Sequence, residues 1–366
     1  MYAAACGPDG CGAWSYNPLG TTSLVWMKFD VLLGWRQGRD FPPLVTTDPS
    51  TESSTTAGVL PDAQTLFGGG RVGSHMQAGG RFDVGVWTST AQCLGIGWRL
   101  YGLGKDASEF NITSADNPVL AVPFQDFSTG TNDALLVAYP GLRTGEIHVA
   151  ASSSVLGHDV YTRWLLCRDC DGRLDFLTGW HYTRIADGIE VRGRSTVTET
   201  GGTIPAGTVT DIRDQFTAHN DFHGAIFGLL WEGYHGCWTT QMLARIAIGN
   251  MHQTMIIDGS TRVQTPGQGT TTTEGGLFTA ASNLGRFSRN EFTAVTEAGL
   301  NLGYRYSPCT QFNVGYTFVY VNDILSPGKA IDTRIGTRNG ITHPQFVFRH
   351  SDFWMQALSL GLTREF

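Results

Sequence analysis

Hydrophobic and polar residues alternate along most of this 366-residue chain, with the two-residue period of a β-strand. The clearest run covers 311–320, where aromatic and aliphatic residues occupy every second position and Gln, Asn, Gly and Thr lie between them. A single strand of this kind also fits a soluble β-sandwich, which buries its apolar face. The fold class therefore depends on how often the pattern repeats and on what separates the repeats.

The alternation repeats in ten segments, and two kinds of connection separate them. The segments cover about 24–36, 81–87, 94–101, 146–167, 173–191, a sixth ending near 231, 241–249, 297–306, 311–320 and 352–366. Short connections follow the even-numbered segments. Long connections, rich in Gly, Ser, Thr and Pro, follow the odd-numbered segments and cover 37–79, 102–145, 192–210, 258–288 and 322–351.

Tight turns at one rim and long loops at the other are typical of an outer-membrane barrel. Loops of this length count against a compact soluble domain, and a closed meander exposes no strand edge to lipid. We therefore predict an all-β fold, an antiparallel up-and-down transmembrane β-barrel of about ten strands with short periplasmic turns and long extracellular loops. Twelve strands are the alternative, if 102–145 contains two more. The barrel domain is predicted to cover 22–366, after a periplasmic N-terminal segment, 1–21.

Composition agrees with a chain that has one apolar and one polar surface. It has 47 Gly, 16% charged residues and 11% aromatic residues, yet a mean hydropathy of only −0.11. No stretch approaches the ~18–20 apolar residues of a transmembrane helix. The net charge of −7 argues against nucleic acid as a partner, because phosphate binding needs a basic face. Outer-membrane lipid is the predicted partner of the apolar surface.

Charged residues of the predicted strands fall on the face opposite the apolar one, so they are predicted to line the lumen. They are seven basic and six acidic residues: Lys28, Arg81, Arg99, Arg163, Arg173, Arg245 and Arg305, with Asp30, Asp83, Asp159, Asp175, Glu232 and Glu297. A ten-stranded barrel is little wider than the eight-stranded kind that its own side chains fill. We expect these charges to pair, because unpaired buried charge is costly. A stabilising polar plug and a selectivity filter both fit, and mixed charge predicts weak ion selectivity.

Sequence signals for catalysis are weak. Ser154, His158 and Asp159 lie close together, but a hydrolase needs such a triad held in fixed geometry, and Ser is common in this chain. We therefore predict no enzymatic activity. No spacing of His, Cys, Asp and Glu predicts a metal site, and no cofactor is predicted.

The seven cysteines are predicted to lie at the periplasmic rim, an oxidising compartment. They are Cys6 and Cys11 before the first strand, and Cys93, Cys167, Cys170, Cys237 and Cys309 at the short turns. The pair Cys167 and Cys170 lacks the second pair of a zinc knuckle, the βαβ context of a redox motif and the following His of a haem site. A hairpin disulfide, or a link to a neighbouring turn, is the preferred interpretation.

Because seven thiols cannot all pair within one chain, at least one is expected to be free or intermolecular. A second copy, or a periplasmic or cell-wall protein joined through cysteine, is therefore a predicted partner. The residues before Cys6 weakly resemble a lipoprotein cleavage box, which leaves lipidation of Cys6 open.

Several segments resemble one known family. They are 79–87 (GGRFDVGVW), 221–224 (DFHG) with 245–253 (RIAIGNMHQ), 302–306 (LGYRY) with 314–318 (VGYTF), and 361–366 (GLTREF). Together they resemble the β-barrel porins that are expanded in planctomycete bacteria, the porin-7 type, over about 22–366. The resemblance implies an outer-membrane location and a pore whose substrate is unassigned. The final Phe366 fits the aromatic C-terminal signal that barrel-assembly machinery reads.

The function hypothesis is a porin-like channel for small solutes in the cell outer membrane of a Gram-negative envelope. The alternative is a structural cell-envelope protein with a plugged barrel, cross-linked through its periplasmic-rim cysteines. Conductance favours the first, and reduction-sensitive complexes without conductance favour the second.

Overall fold

The computed structural model describes residues 23–366 and shows one closed antiparallel barrel. Its ten strands are β1 (Val25–Arg36), β2 (Gln77–Trp87), β3 (Leu94–Thr113), β4 (Arg143–Arg168), β5 (Gly172–Val197), β6 (Val209–His235), β7 (Trp238–Thr265), β8 (Gly285–Ser307), β9 (Thr310–Ile324) and β10 (Ser351–Glu365). Each strand pairs with the next, and β10 pairs with β1 from Trp26↔Glu365 to Arg36↔Met355 to close the ring. No strand edge of the wall is left for lipid to solvate, as a membrane requires.

The predicted fold class is confirmed, with ten strands and not twelve. The connection 102–145 does contain two further strands, Leu120–Asp126 and Thr131–Ala138. They pair with each other and are not part of the barrel wall. The predicted N-terminal segment 1–21, with Cys6 and Cys11, lies outside the described residues. No helix in the described part of the chain is long and apolar enough to cross a membrane.

An apolar band surrounds the outside of the barrel near its short-turn rim. Its members are the alternate residues that the sequence assigned to lipid, and they remain exposed although they are hydrophobic: Met27, Phe29, Val31, Ile96, Trp98, Val160, Trp164, Phe227, Leu229, Trp231, Leu300, Leu302, Tyr304, Phe312, Val314, Tyr316, Leu358, Leu360 and Leu362. An extensive exposed apolar surface of this kind marks a site of contact with other apolar groups, and a band around a barrel fits hydrocarbon.

Part of the wall rises far above this band. β4 to β7 contain 26 to 28 residues each, whereas β1 and β2 contain 12 and 11. A tilted strand needs only about 9–11 residues to span a bilayer. The tall side of the barrel therefore extends more than one membrane thickness into the extracellular space.

The long loops fold into a cap against the tall wall. Their strands are Arg39–Phe41, Val45–Thr47, Gln64–Phe67, Gly70–Val72, Leu120–Asp126, Thr131–Ala138, Gly269–Glu274, Arg334–Arg338 and Ile341–His343, and one short helix covers Pro327–Ala330. Several of them form a small mixed sheet separate from the barrel, in which Leu120–Asp126 is central. The loops are therefore ordered elements with their own hydrogen bonding.

Cap and wall share a hydrophobic core, which we call the extracellular core. Wall residues supply its inward side, among them Ile147, Val149, Ile189, Val191, Phe216, Met255 and Ile257, and cap residues supply the other side, among them Leu44, Val45, Leu120, Val122, Phe278 and Leu325. In this region of the wall the apolar side chains point inward and polar ones such as Glu190 and Arg192 point outward. The outer surface of the wall in this region therefore faces water and not lipid.

Buried polar side chains of the wall attach the cap at defined points. The side-chain amide of Asn220 donates to the carbonyl of Leu325 at 3.0 Å, and its oxygen accepts the Leu325 N–H at 2.7 Å. The carboxylate of Asp214 accepts the N–H groups of Leu277 and Phe278 at 3.1 and 3.0 Å. These bonds satisfy loop backbone groups that would otherwise be buried without partners.

Asp332 performs the same task within the cap. Its carboxylate accepts hydrogen bonds from the Arg334 guanidinium at 2.8 Å, from His343 at 2.6 Å and from the Gln345 N–H at 2.9 Å. Burial acts to raise the pKa of Asp332, but the hydrogen bonds from Arg334, Gln345 and His343 outweigh it, and the pKa lies below its ordinary value.

We predict that Asp332→Asn loosens the loop 331–345, because the amide cannot accept all of these bonds. Limited proteolysis of the protein in detergent micelles should cut this loop several-fold faster than in the wild type. Asp133→Asn is the matched control on the same cap, since that exposed carboxylate accepts the N–H of its own neighbour Ala134. Equal cleavage of both variants would contradict the assignment.

The lowered pKa gives this loop a pH dependence. A carboxylate with a depressed folded-state pKa stabilises the native state above its unfolded value of ~3.9, and the stabilisation is lost as the pH falls through the folded value. Proteolysis at neutral pH should therefore separate the wild type from Asp332→Asn, whereas digestion with pepsin in strong acid should cut the two at similar rates. A difference that persists in acid would exclude this mechanism.

Candidate functional site: the filled lumen

The structure places all thirteen charged residues that the sequence assigned to the lumen on the inner side of the wall. Nine of them line one cavity: Lys28, Arg81, Asp83, Arg99, Arg163, Arg173, Glu232, Arg245 and Arg305. The other four are almost fully buried, namely Asp30, Asp159, Asp175 and Glu297. The strand period positions them, since successive residues of a strand point to opposite faces of the wall.

Four of these residues form a cluster that we call the ion-pair layer. The Arg99 guanidinium donates to both Glu297 oxygens at 2.8 Å and to Asp159 at 2.7 Å. Arg245 donates to the same two carboxylates, at 2.7 and 2.8 Å. Because β3 and β8 lie opposite each other in a ring of ten strands, the Arg99–Glu297 pair crosses the lumen. Two positive and two negative charges leave the layer neutral.

Further polar side chains lie next to the ion-pair layer. His181 Nδ1 contacts Asp159, and its Nε2 lies 2.8 Å from the Thr183 hydroxyl. The Tyr101 hydroxyl lies 2.9 Å from the same Thr183 oxygen. The sequence analysis did not select His181 or Tyr101, and their positions on the inward face of the strand period were the available signal.

A second charged group lies closer to the short-turn rim. Arg163 donates to Asp175 at 2.6 Å and to Glu232 at 3.1 Å, and Arg173 donates to the other Asp175 oxygen at 2.7 Å. The Arg163 and Arg173 guanidinium groups also lie 4.9 and 4.5 Å from the ring centre of Trp87. Buried carboxylates here have arginine partners, as their desolvation requires.

Lys28, Asp30, Arg81 and Asp83 occupy the β1–β2 side of the lumen. Arg81 lies 2.7 Å from Asp30 and also donates to Thr317 of β9 at 3.1 Å. Asp83 accepts hydrogen bonds from the Trp26 indole and the Tyr161 hydroxyl, both at 2.9 Å. Trp26 and Trp87 therefore belong to the lumen, whereas Trp98, Trp164, Trp180, Trp231 and Trp238 are exposed on the outside.

A cavity of about 190 Å³ lies below the ion-pair layer, and we call it the vestibule. Besides the charged residues, amides and hydroxyls line it: Gln92, Gln241, Asn301, Gln311, Asn313, Thr239, Thr240, Thr317 and Thr363. Above the ion-pair layer lies the middle core, a hydrophobic cluster that includes Leu32, Leu103, Val155, Ile185, Phe222, Met251 and Val319. Three successive layers thus cross the barrel: the ion pairs, the middle core and the extracellular core.

The cysteines require a correction. Cys93, Cys167 and Cys309 are exposed free thiols, whereas Cys170 and Cys237 are not free. The predicted hairpin disulfide between Cys167 and Cys170 is therefore wrong. Cys167 lies on β4 opposite Leu174, whereas Cys170 lies in the turn between β4 and β5, so the two cysteines are not cross-strand neighbours. Cys170 and Cys237 also lie at short turns.

The structure does not bring Ser154, His158 and Asp159 together as a triad. Asp159 points into the lumen, whereas Ser154 and His158 lie on the alternate, outer face of β4, where His158 stacks near Trp180 and Tyr182. Within the described residues no group of three or more His, Cys, Asp and Glu could hold a metal ion.

The fold and the filled lumen define a membrane-type β-barrel with an apolar outer band. The family model described as "Putative beta barrel porin-7 (BBP7)" matches residues 26–366, and the chain belongs to this family. No curated protein matches the chain.

Solved structures with a similar fold are remote in sequence. The outer membrane protease OmpT from Escherichia coli is 10% identical, with a TM-score of 0.41, over 95% of this chain and 100% of that one. A FadL homologue from Pseudomonas aeruginosa is 7% identical, with a TM-score of 0.26, over 99% and 94%. A TodX deletion mutant, a monoaromatic hydrocarbon channel, is 7% identical with a TM-score of 0.24, over 95% and 92%. We draw no functional conclusion from similarities this distant.

We predict that Arg99→Ala destabilises the barrel by about 3–5 kcal/mol, the cost of removing one partner of a buried ion pair. Unfolding in urea, followed by tryptophan fluorescence, should show this loss. The control is Arg192→Ala, which removes an exposed pair with Asp211 at 2.5 Å and should cost less than ~1 kcal/mol. If the two variants unfold alike, the ion-pair layer is not a structural element of the barrel.

Proposed function

We propose that this protein is a porin-like channel of the cell outer membrane that passes small solutes and is closed in the state described here. Membership of the porin-7 family and the apolar outer band support the location. The observation that carries the proposal is the vestibule, a polar cavity inside the membrane-facing part of the barrel. A purely structural barrel would gain more from filling that space than from leaving it hydrated.

The layers above the vestibule supply the closure. The ion-pair layer crosses the lumen between β3 and β8, and the cap is attached through hydrogen bonds such as those of Asn220. The first element limits the width of the path, and the second holds the loops in place. An open state would need the cap to move before solute could reach the extracellular side.

Conductance in planar lipid bilayers tests the proposal. We expect the purified wild type to show brief steps above the lipid background. The double variant Arg99→Ala with Glu297→Ala should give larger steps, because it widens the narrowest layer and leaves Arg245 and Asp159 paired at 2.8 Å. Asn220→Ala should give more frequent openings of unchanged size, because it loosens the cap.

The double variant Arg192→Ala with Asp211→Ala, which removes an exposed pair on the outer wall, is the control and should behave like the wild type. If none of these proteins gives steps above background, the channel function is wrong.

A structural role in the envelope is the second candidate, and the extracellular core favours it. That core contains about as many cap residues as wall residues, so the barrel serves as the base of a folded extracellular body. The exposed thiols of Cys93, Cys167 and Cys309 would be available to a periplasmic partner. High-mass complexes in native membranes that dissociate on reduction, together with no conductance, would support this role.

A further inference from the structure

The charges that face the vestibule are unbalanced, although the lower lumen as a whole is not. Seven basic residues line the cavity: Lys28, Arg81, Arg99, Arg163, Arg173, Arg245 and Arg305. Only three acidic residues line it, namely Asp83, Glu232 and Glu365. The other carboxylates that pair with these arginines, Asp30, Asp159, Asp175 and Glu297, do not line the cavity and are buried. A solute in the vestibule therefore meets mainly positive groups.

Two of the three lining carboxylates, Asp83 and Glu232, already have donors. Both Asp83 oxygens accept the Tyr161 hydroxyl at 2.9 Å, and one also accepts the Trp26 indole. Glu232 accepts hydrogen bonds from Arg163, from the Gln241 amide at 2.8 Å and from the Tyr234 hydroxyl at 3.2 Å. Engaged oxygens of this kind compete poorly for a cation.

Lys28 is a basic lining group whose carboxylate neighbour is already engaged. Its ammonium lies 3.8 Å from Asp30 Oδ2, an oxygen that Arg81 already holds at 2.7 Å. The Asn301 amide oxygen, turned toward it, would accept at 3.1 Å. An ammonium has three protons to donate, and in a partly desolvated cavity the attraction of an anion is stronger than in water.

We propose that the vestibule binds a small oxyanion, of the carboxylate, sulfate or phosphate class, with Lys28 as its charge partner. The hydroxyls of Thr239, Thr240 and Thr317 line the same cavity and add neutral donors, and a volume of about 190 Å³ admits an anion with part of its hydration shell. The inference deepens the proposed function by naming the solute class, and it rests on that proposal only for the role of the bound anion.

Equilibrium dialysis of the full-length protein in detergent against radiolabelled sulfate, at constant ionic strength, tests the site. The wild type should bind about one sulfate per chain. Lys28→Met removes the charge at similar length and should raise Kd at least tenfold. Asp30 keeps Arg81 as its partner, so the barrel should still fold. Lys28→Arg, which keeps the charge, should bind sulfate, and Lys105→Met, at an exposed position on β3, should match the wild type.

The proposal is overturned if the wild type binds no sulfate and no inorganic phosphate, if Lys28→Met binds as tightly as the wild type, or if radiolabelled sodium binds in place of the anions. Binding is measured in detergent without a bilayer, so the test gives a result even if the protein shows no conductance. A protein that conducts but binds no anion would refute only this inference.

Discussion

The organisation of this protein depends on one property of the membrane, which is that hydrocarbon offers no hydrogen-bond partner. The wall must therefore close on itself, as β10 does on β1, and its outer face must be apolar. All polar strand positions of the spanning region are then directed into a narrow lumen. There a charge can be stabilised only by another side chain or by trapped water. Ion pairs such as Arg99–Glu297 are therefore a consequence of the lipid that surrounds the barrel.

The inner and outer faces exchange polarity along a single strand, and this exchange marks where the membrane ends. On β5, Trp180 is exposed on the outer face in the lower part, whereas Ile185 and Ile189 are buried inside in the upper part. Arg192, near the upper end, is exposed on the outside and pairs with Asp211. The upper barrel is thus built like a water-soluble protein, and its inward apolar side chains need the cap as a partner.

The ten strands and the inward direction of the charged residues could be predicted from sequence, because both follow from a local period of two. The pairing across the lumen could not, because Arg99 and Glu297 are 198 residues apart and meet only through strand order and stagger. The cap escaped prediction because segments such as 37–79 lack periodicity and gain their order from the wall. The Cys167–Cys170 disulfide was wrong because Cys170 lies in the turn after β4 and is not a cross-strand neighbour of Cys167.

The two sets of contacts that close the lumen are energetically coupled. Separating Arg99 from Glu297 in a dry lumen would leave buried charges without partners, which costs several kcal/mol. Once the cap and the middle core admit water, the effective dielectric rises and the same separation costs far less. Two states of the lumen are therefore favourable: a dry lumen in which the ion pairs are intact, and a hydrated lumen in which the ion pairs can separate. Under the proposed channel function, movement of the cap would set which of them exists, and side chains that attach the cap, such as Asn220, would act on the ion pairs without touching them.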